Sequence, residues 1–202
     1  MPSPPQVLNV PNQITAVRLV LAIVMFVILS FTFPGRYLAA CIVFLVAAST
    51  DWVDGWYARK YGQVTQVGRI FDPFVDKIII CGAYVYLAAE YQHRSQIYPW
   101  MAVIVIGREL LITVIRSFLE QQGKDFSANM SGKLKMVFQC AAVVGSLLLL
   151  WKNETPDQTP AWLPYTVLVL AWVSVASTVQ SGLVYVLVAG RVILKPSEGA
   201  AS

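Results

Sequence analysis

The sequence predicts an all-α membrane protein of six transmembrane helices, and three observations carry that reading. Of 202 residues, 57% are hydrophobic and only 13% charged, with a mean hydropathy of +0.62, far outside the balance of a soluble domain. Six apolar runs recur along the chain, most of them long enough to cross roughly 30 Å of hydrocarbon as helices. The ionisable residues gather toward one side of those runs, which orients the bundle.

The first run, Ile14 to Phe33, has no basic stretch before it and no small-residue cleavage site after it, so it is expected to be a retained helix and not a signal peptide. Met1 to Pro11, ahead of it, is proline-rich and expected at the surface. The second run is Tyr37 to Val53. The third, Ile78 to Ala89, is short alone, but continuing it back through Val75, Phe74 and Phe71 gives a full span whose end carries Asp72 and Asp76. Acids at that depth face protein and not lipid. Ile97 to Ile115 and Met136 to Trp151 follow, and Tyr165 to Gly190 exceeds one bilayer thickness, so that helix is expected to tilt or protrude. No repeat or long linker divides the chain, which reads as one domain over residues 1–195 with a disordered tail at 196–202.

With the N-terminus inside, twelve of the fifteen Lys and Arg residues lie on the cytoplasmic side and only Arg36, Arg94 and Lys152 outside, so both termini are expected in the cytoplasm. The charged, glycine-bearing connections Gly55 to Gly68 and Glu120 to Lys133 then mark the active face. His93, in an outer loop, is assigned no chemistry. Tryptophans and tyrosines near span ends, such as Trp100, Trp151 and Trp162, fit an interfacial belt. Cys41, Cys81 and Cys140 fall within spans without CxxC spacing and read as inert packing residues.

Four aspartates occupy a 26-residue stretch at the edge of this apolar background: Asp51 and Asp54 at i and i+3, Asp72 and Asp76 at i and i+4. On helices each pair projects from one face. Four unpaired acids at a bilayer boundary resist ionising together unless cations neutralise them, and all-oxygen ligation suits Mg²⁺ or Mn²⁺ first and Ca²⁺ next. The expected fold therefore includes a polar, metal-holding cavity at the cytoplasmic side. Salt-bridged caps with Arg59, Lys60, Arg69 and Lys77 could balance the acids too, but caps need neither a bare Gly55 nor a small Ala58. Those two leave an open surface for a ligand beside the acids, and Arg59 adds a fixed cation that can bind phosphate.

Written out, the segment is Asp51, Asp54, Gly55, Ala58 and Arg59, then eight residues, Gly68, Asp72 and Asp76. It resembles the signature of the CDP-alcohol phosphotransferase family, DxxDGxxAR followed by GxxxDxxxD, at all eight fixed positions. The resemblance implies two divalent ions, Mg²⁺ or Mn²⁺, held by Asp51, Asp54, Asp72 and Asp76, with Asp76 as the base that takes a proton from the attacking hydroxyl. It implies a CDP-linked donor bound by Gly55, Ala58, Arg59 and Gly68, with Thr65 against the CDP phosphates.

Two further stretches bear on the substrates. Pro11-Asn12-Gln13-Ile14-Thr15-Ala16-Val17-Arg18 is similar to the opening sequence of family members that make phosphatidylglycerophosphate or cardiolipin, where this segment lies against the nucleotide; Asn12 and Thr15 are thus CDP-binding candidates. Either residue could instead, or also, cap the first helix. Gly107-Arg108-Glu109, Arg116 and Ser131-Gly132-Lys133-Leu134-Lys135 resemble elements of the members whose acceptor is glycerol 3-phosphate. Arg108 and Arg116 are eight apart on nearly one helix face, and with Lys133 and Lys135 they could surround a phosphate. For Lys133 and Lys135, positive-inside anchoring is the simpler alternative, and Glu109 is expected to pair with one of the arginines.

The resemblance thus implies phosphatidyl transfer from CDP-diacylglycerol to glycerol 3-phosphate in phospholipid synthesis, at the cytoplasmic face of a bacterial inner membrane, by a homodimer. No nucleic-acid partner is expected. The alternatives are a sister enzyme with phosphatidylglycerol or inositol phosphate as acceptor, and a divalent-cation transporter. A transporter predicts polar residues deep in the other spans, and few are found.

Overall fold

The computed structural model describes the backbone of residues 10–61, 66–90, 94–121, 130–155 and 159–194, and their side chains except at 10–12, 51–61, 66–73, 118, 120–121, 130–133 and 191–194. The expectations for Met1 to Asn9, Thr65, His93 and the tail at 196–202 lie outside the described residues.

Among the described residues six helices form, each over one apolar run: α1 Val10–Ser30, α2 Arg36–Tyr61, α3 Gln66–Ala88, α4 Pro99–Gln121, α5 Met130–Glu154 and α6 Trp162–Leu194. Three of them contain stretches long and apolar enough to cross a membrane: Gln13–Ser30, Leu134–Glu154 and Trp162–Gly190. A shorter apolar stretch in α2 covers Arg36–Thr50. Large apolar side chains face outward, among them Val103, Leu110, Val114, Val169 and Leu187. A soluble domain does not carry apolar exposure on this scale, and the chain is an integral membrane protein. The 33 residues of α6 make a rod of about 50 Å, longer than a bilayer core, as its sequence predicts.

The helices extend further at their polar ends than the apolar runs suggest. Both motif halves are helical: α2 continues through Gly55 and Arg59 to Tyr61, and α3 starts at Gln66, so the expected Gly55 to Gly68 connection shrinks to residues 62–65. Intrahelical hydrogen bonds satisfy the backbone there whatever the side chains are. The capping expectation for Asn12 and Thr15 is corrected too. Helix α1 begins at Val10, with Pro11 in the first turn where its missing N–H costs nothing, and both residues lie inside the helix.

Packing runs α1 to α2, α2 to α5, α5 to α6, α6 to α4, α4 to α3 and α3 back to α1, closing a ring, with α3 also touching α5 across it. Phe44, Met25, Tyr84, Leu87, Met101, Leu147 and Leu150 fill the interior. Between membrane helices close backbone approach and hydrogen bonds do most of the joining. A Cβ at Gly82 would come within 2.2 Å of Phe26 Cζ, so only glycine lets α3 approach α1 this closely. Tyr84 shares a 2.7 Å hydrogen bond with Ser174, and Gln139 donates to Thr178 at 3.0 Å, tying α3 and α5 to α6.

The end of the bundle away from the motif is fastened by one arginine. Pro34 and Gly35 (φ 81°) make the α1–α2 turn, closed by the Arg36 N–H donating to the Phe33 carbonyl at 3.3 Å. Arg36 then lies 3.7 Å from Glu90 and 3.8 Å from Glu154, while the Tyr37 hydroxyl donates to Glu90 at 2.9 Å. Cys41 is buried and Cys81 and Cys140 partly so, and none of the three forms a disulfide, which fits their reading as packing residues.

Candidate active site

Chain direction brings the C-terminal ends of α2, α4 and α6 to the same end of the ring as the N-terminal ends of α1, α3 and α5. The motif residues lie on these segments or between α2 and α3 in sequence, except Gly107, Arg108 and Glu109, which sit at the middle of α4. Asp51, Asp54, Gly55, Ala58 and Arg59 occupy the last turns of α2, and Gly68, Asp72 and Asp76 the first turns of α3. The i, i+3 and i, i+4 spacings are therefore true helical spacings, and each acid pair shares a helix face.

Among the described residues no group of three or more His, Cys, Asp or Glu side chains could hold a metal ion; the side chains of Asp51, Asp54 and Asp72 lie outside that description. The donor set itself fits a hard divalent cation: oxygen ligands only, from two helical pairs, with the fourth member, Asp76, 28% exposed at the side chain.

Asp76 has a partner that sequence reading did not assign. Arg18 of α1, with 1% of its side chain exposed, donates from Nη1 to Asp76 Oδ1 at 2.7 Å. The two line a narrow cleft with Phe44, Ala47, Ile80 and Met136, from four different helices. Thr15, one turn before Arg18, is also buried. The sequence did hold a signal for Arg18, since an arginine between Val17 and Leu19 in an apolar span requires an anion.

A second polar cluster lies between α3, α4, α5 and α6. Arg108 is buried and donates from Nη2 to the Ser181 hydroxyl at 2.6 Å and from Nη1 to Glu109 Oε1 at 3.2 Å, with the Tyr185 ring 5.6 Å away. Lys135, also buried, donates to the same Glu109 oxygen. Glu109 thus pairs with Arg108, as expected, and with Lys135 besides. Lys77, next to Asp76 in sequence, donates to the Thr113 hydroxyl, which in turn donates to the Glu109 carbonyl at 2.6 Å. Arg116 is exposed on α4 and near enough to Lys77 to repel it.

Of the four cations assigned to the acceptor phosphate, Arg108 and Lys135 meet at Glu109, Arg116 lies beside the cluster, and Lys133 is on the first turn of α5 with its side chain outside the described residues. Lys77, Ser181 and Tyr185 were not anticipated. Lys77 carried a signal as a cation in the third span, whereas Ser181 and Tyr185 sit in an apolar helix with nothing to distinguish them.

A family model described as CDP-alcohol phosphatidyltransferase matches residues 8–180 of the chain. A Bacillus subtilis (strain 168) protein named CDP-diacylglycerol–glycerol-3-phosphate 3-phosphatidyltransferase is 36% identical over 190 residues, covering 88% of this chain and 93% of that protein. Proteins of the same name from Yersinia pestis (strain Pestoides F) and Escherichia coli (strain K12) are 35% and 33% identical, over 81% and 88% of this chain and 87% and 92% of their own lengths.

Proposed function

The chain belongs to the CDP-alcohol phosphatidyltransferase family, and from that premise we propose that it moves the phosphatidyl group of CDP-diacylglycerol to glycerol 3-phosphate, giving phosphatidylglycerophosphate and CMP. One observation carries the choice of acceptor: relatives named for this reaction match nearly the whole chain, including the segments with Arg108, Arg116 and Lys135. A buried cluster with more cations than acids suits an acceptor that bears a phosphate.

In this reading all six helices span the membrane, with the motif end in the cytoplasm of a bacterium and the protein in its inner membrane. The lipid donor reaches the site from the bilayer and the water-soluble acceptor from the cytoplasm. Asp51, Asp54, Asp72 and Asp76 hold divalent cations, two Mg²⁺ or Mn²⁺ ions, which supply charge neutralisation at the diphosphate and at the departing CMP. Gly55, Ala58 and Gly68 leave room beside the acids, and Arg59 and Thr65 bind the CDP phosphates, with Asn12 and Thr15 toward the nucleotide.

The acceptor hydroxyl oxygen attacks the phosphorus that bears the diacylglycerol, the bond from that phosphorus to CMP breaks, and the hydroxyl proton passes to the Asp76 carboxylate. Arg18 fixes that carboxylate through Oδ1. Arg108, Arg116, Lys133 and Lys135 bind the acceptor's phosphate and so aim its hydroxyl. The active protein is a homodimer. Release of CMP on mixing the purified protein with CDP-diacylglycerol, Mg²⁺ and glycerol 3-phosphate tests the reading, and its failure with that acceptor alone would overturn it.

A further inference from the structure

We infer that Lys77 belongs to the acceptor site as a phosphate-binding cation, and that Glu109 is the site's internal counter-charge, so that the pocket is matched to a phosphomonoester dianion. The inference rests on the function proposed above and extends it to a residue outside the recognised motif elements.

Among the described residues, Lys77, Arg108 and Lys135 lie in one cluster with the Glu109 carboxylate, and the neighbouring Asp76 is ion-paired with Arg18, which leaves a formal surplus of two positive charges. Arg108 and Lys135 are each about 9% exposed. Surplus charge at such depth is costly in a membrane protein and marks a place for an anion. Arg108 gives a second, independent sign: its Nε is buried and has no hydrogen-bond partner among the described residues, although both Nη atoms are bonded. A buried guanidinium donor with no acceptor is expensive unless a ligand completes it.

The geometry singles out Lys77 from the other basic residues. It follows Asp76 directly on α3, so a phosphate held there lies next to the carboxylate proposed as base. Its ammonium is tethered to Glu109 through the Thr113 hydroxyl, and Arg108 and Arg116 both repel it across the gap between α3 and α4. An anion arriving among these groups relieves that repulsion. A phosphomonoester carries close to two negative charges at neutral pH and neutralises the surplus, whereas a phosphodiester carries one and a plain alcohol none. The pocket thereby selects an acceptor by charge class before any contact with its carbon skeleton.

The test compares wild type, Lys77→Met, Lys77→Gln and Lys77→Arg in purified form, measuring KM for glycerol 3-phosphate and for CDP-diacylglycerol separately, together with thermal stabilisation by glycerol 3-phosphate without the lipid donor. Loss of one charge-assisted hydrogen bond predicts that Met and Gln raise the acceptor KM by about tenfold or more. The same two variants should leave the donor KM within about twofold, abolish the stabilisation, and be rescued largely by Arg. An acceptor KM unchanged in Lys77→Gln, or a rise shared equally by both substrates, overturns the inference while the proposed reaction stands. A wild-type enzyme that turns over without using glycerol 3-phosphate overturns the proposed reaction itself, a failure read in the wild type and not in the variants.

Discussion

Arg18 and Asp76, 58 residues apart in sequence, meet through a 2.7 Å ion pair that joins α1 to α3 at the motif end of the bundle. The arginine is almost wholly enclosed and the aspartate partly exposed, so the pair anchors the carboxylate proposed as the base from its buried side. Removing either partner costs the other this ion pair. Arg18→Met is expected to lower stability, and a double-mutant cycle with Asp76→Asn in denaturation of the detergent-solubilised protein should give a coupling above about 1 kcal/mol. Strictly additive losses would mean that the pair contributes nothing.

Turnover should separate from stability at the aspartate. Asp76→Asn keeps size and shape but cannot take a proton, so CMP release should fall by about 10²–10⁴-fold or more. Unfolding temperature should change far less than activity. Near wild-type turnover would remove Asp76 as the base.

Chelation of divalent cations is expected to stop the reaction, and added Mg²⁺ or Mn²⁺ to restore it. Asp51→Asn and Asp72→Asn, one from each helical pair, should each weaken Mn²⁺ binding followed by its paramagnetic signal, without substrate present. Undiminished binding in both would relocate the cation site.

At Gly82 the constraint is steric. Its α-hydrogens face the Phe26 ring, and the 2.2 Å that would separate an alanine Cβ at this position from Phe26 Cζ is well inside contact distance. Gly82→Ala should cost about 1–3 kcal/mol, read as a lowered unfolding temperature, and Phe26→Leu in the same chain should recover part of it. Phe26 also stacks on Tyr86 at 5.5 Å, so the recovery is expected to be incomplete.

On α4, Arg116 lies exposed beside the Lys77 and Arg108 cluster, and the proposed function assigns it to the acceptor phosphate. Arg116→Ala should raise KM for glycerol 3-phosphate by about tenfold while sparing CDP-diacylglycerol. Equal effects on both substrates would count against its assignment to the acceptor phosphate.

Particular residues show what the sequence could and could not convey. Apolar runs located the six helices of the described residues, because each run is continuous in sequence along one helix. Polar helix ends were harder: Gly55 to Tyr61 reads as a charged connection yet continues α2, and Asn12 and Thr15 read as caps yet lie within α1. Hydropathy marks the membrane, not the end of the backbone hydrogen bonding. Spacing alone placed each acid pair on one helix face, and a pairing of Glu109 with Arg108 or Arg116 was legible on α4, where the structure selects Arg108. Arg18 with Asp76, Lys135 with Glu109 and Arg108 with Ser181 depend on which helices neighbour which around the ring, and no local pattern encodes that order.

The most direct measurement of the central claim is CMP release by the purified protein with CDP-diacylglycerol and Mg²⁺, comparing glycerol 3-phosphate, inositol phosphate and phosphatidylglycerol as acceptors. The account predicts release with glycerol 3-phosphate and little with the others. Preference for either of the others would contradict it, leaving the fold and the aspartate site in place but assigning the cation cluster to a different acceptor.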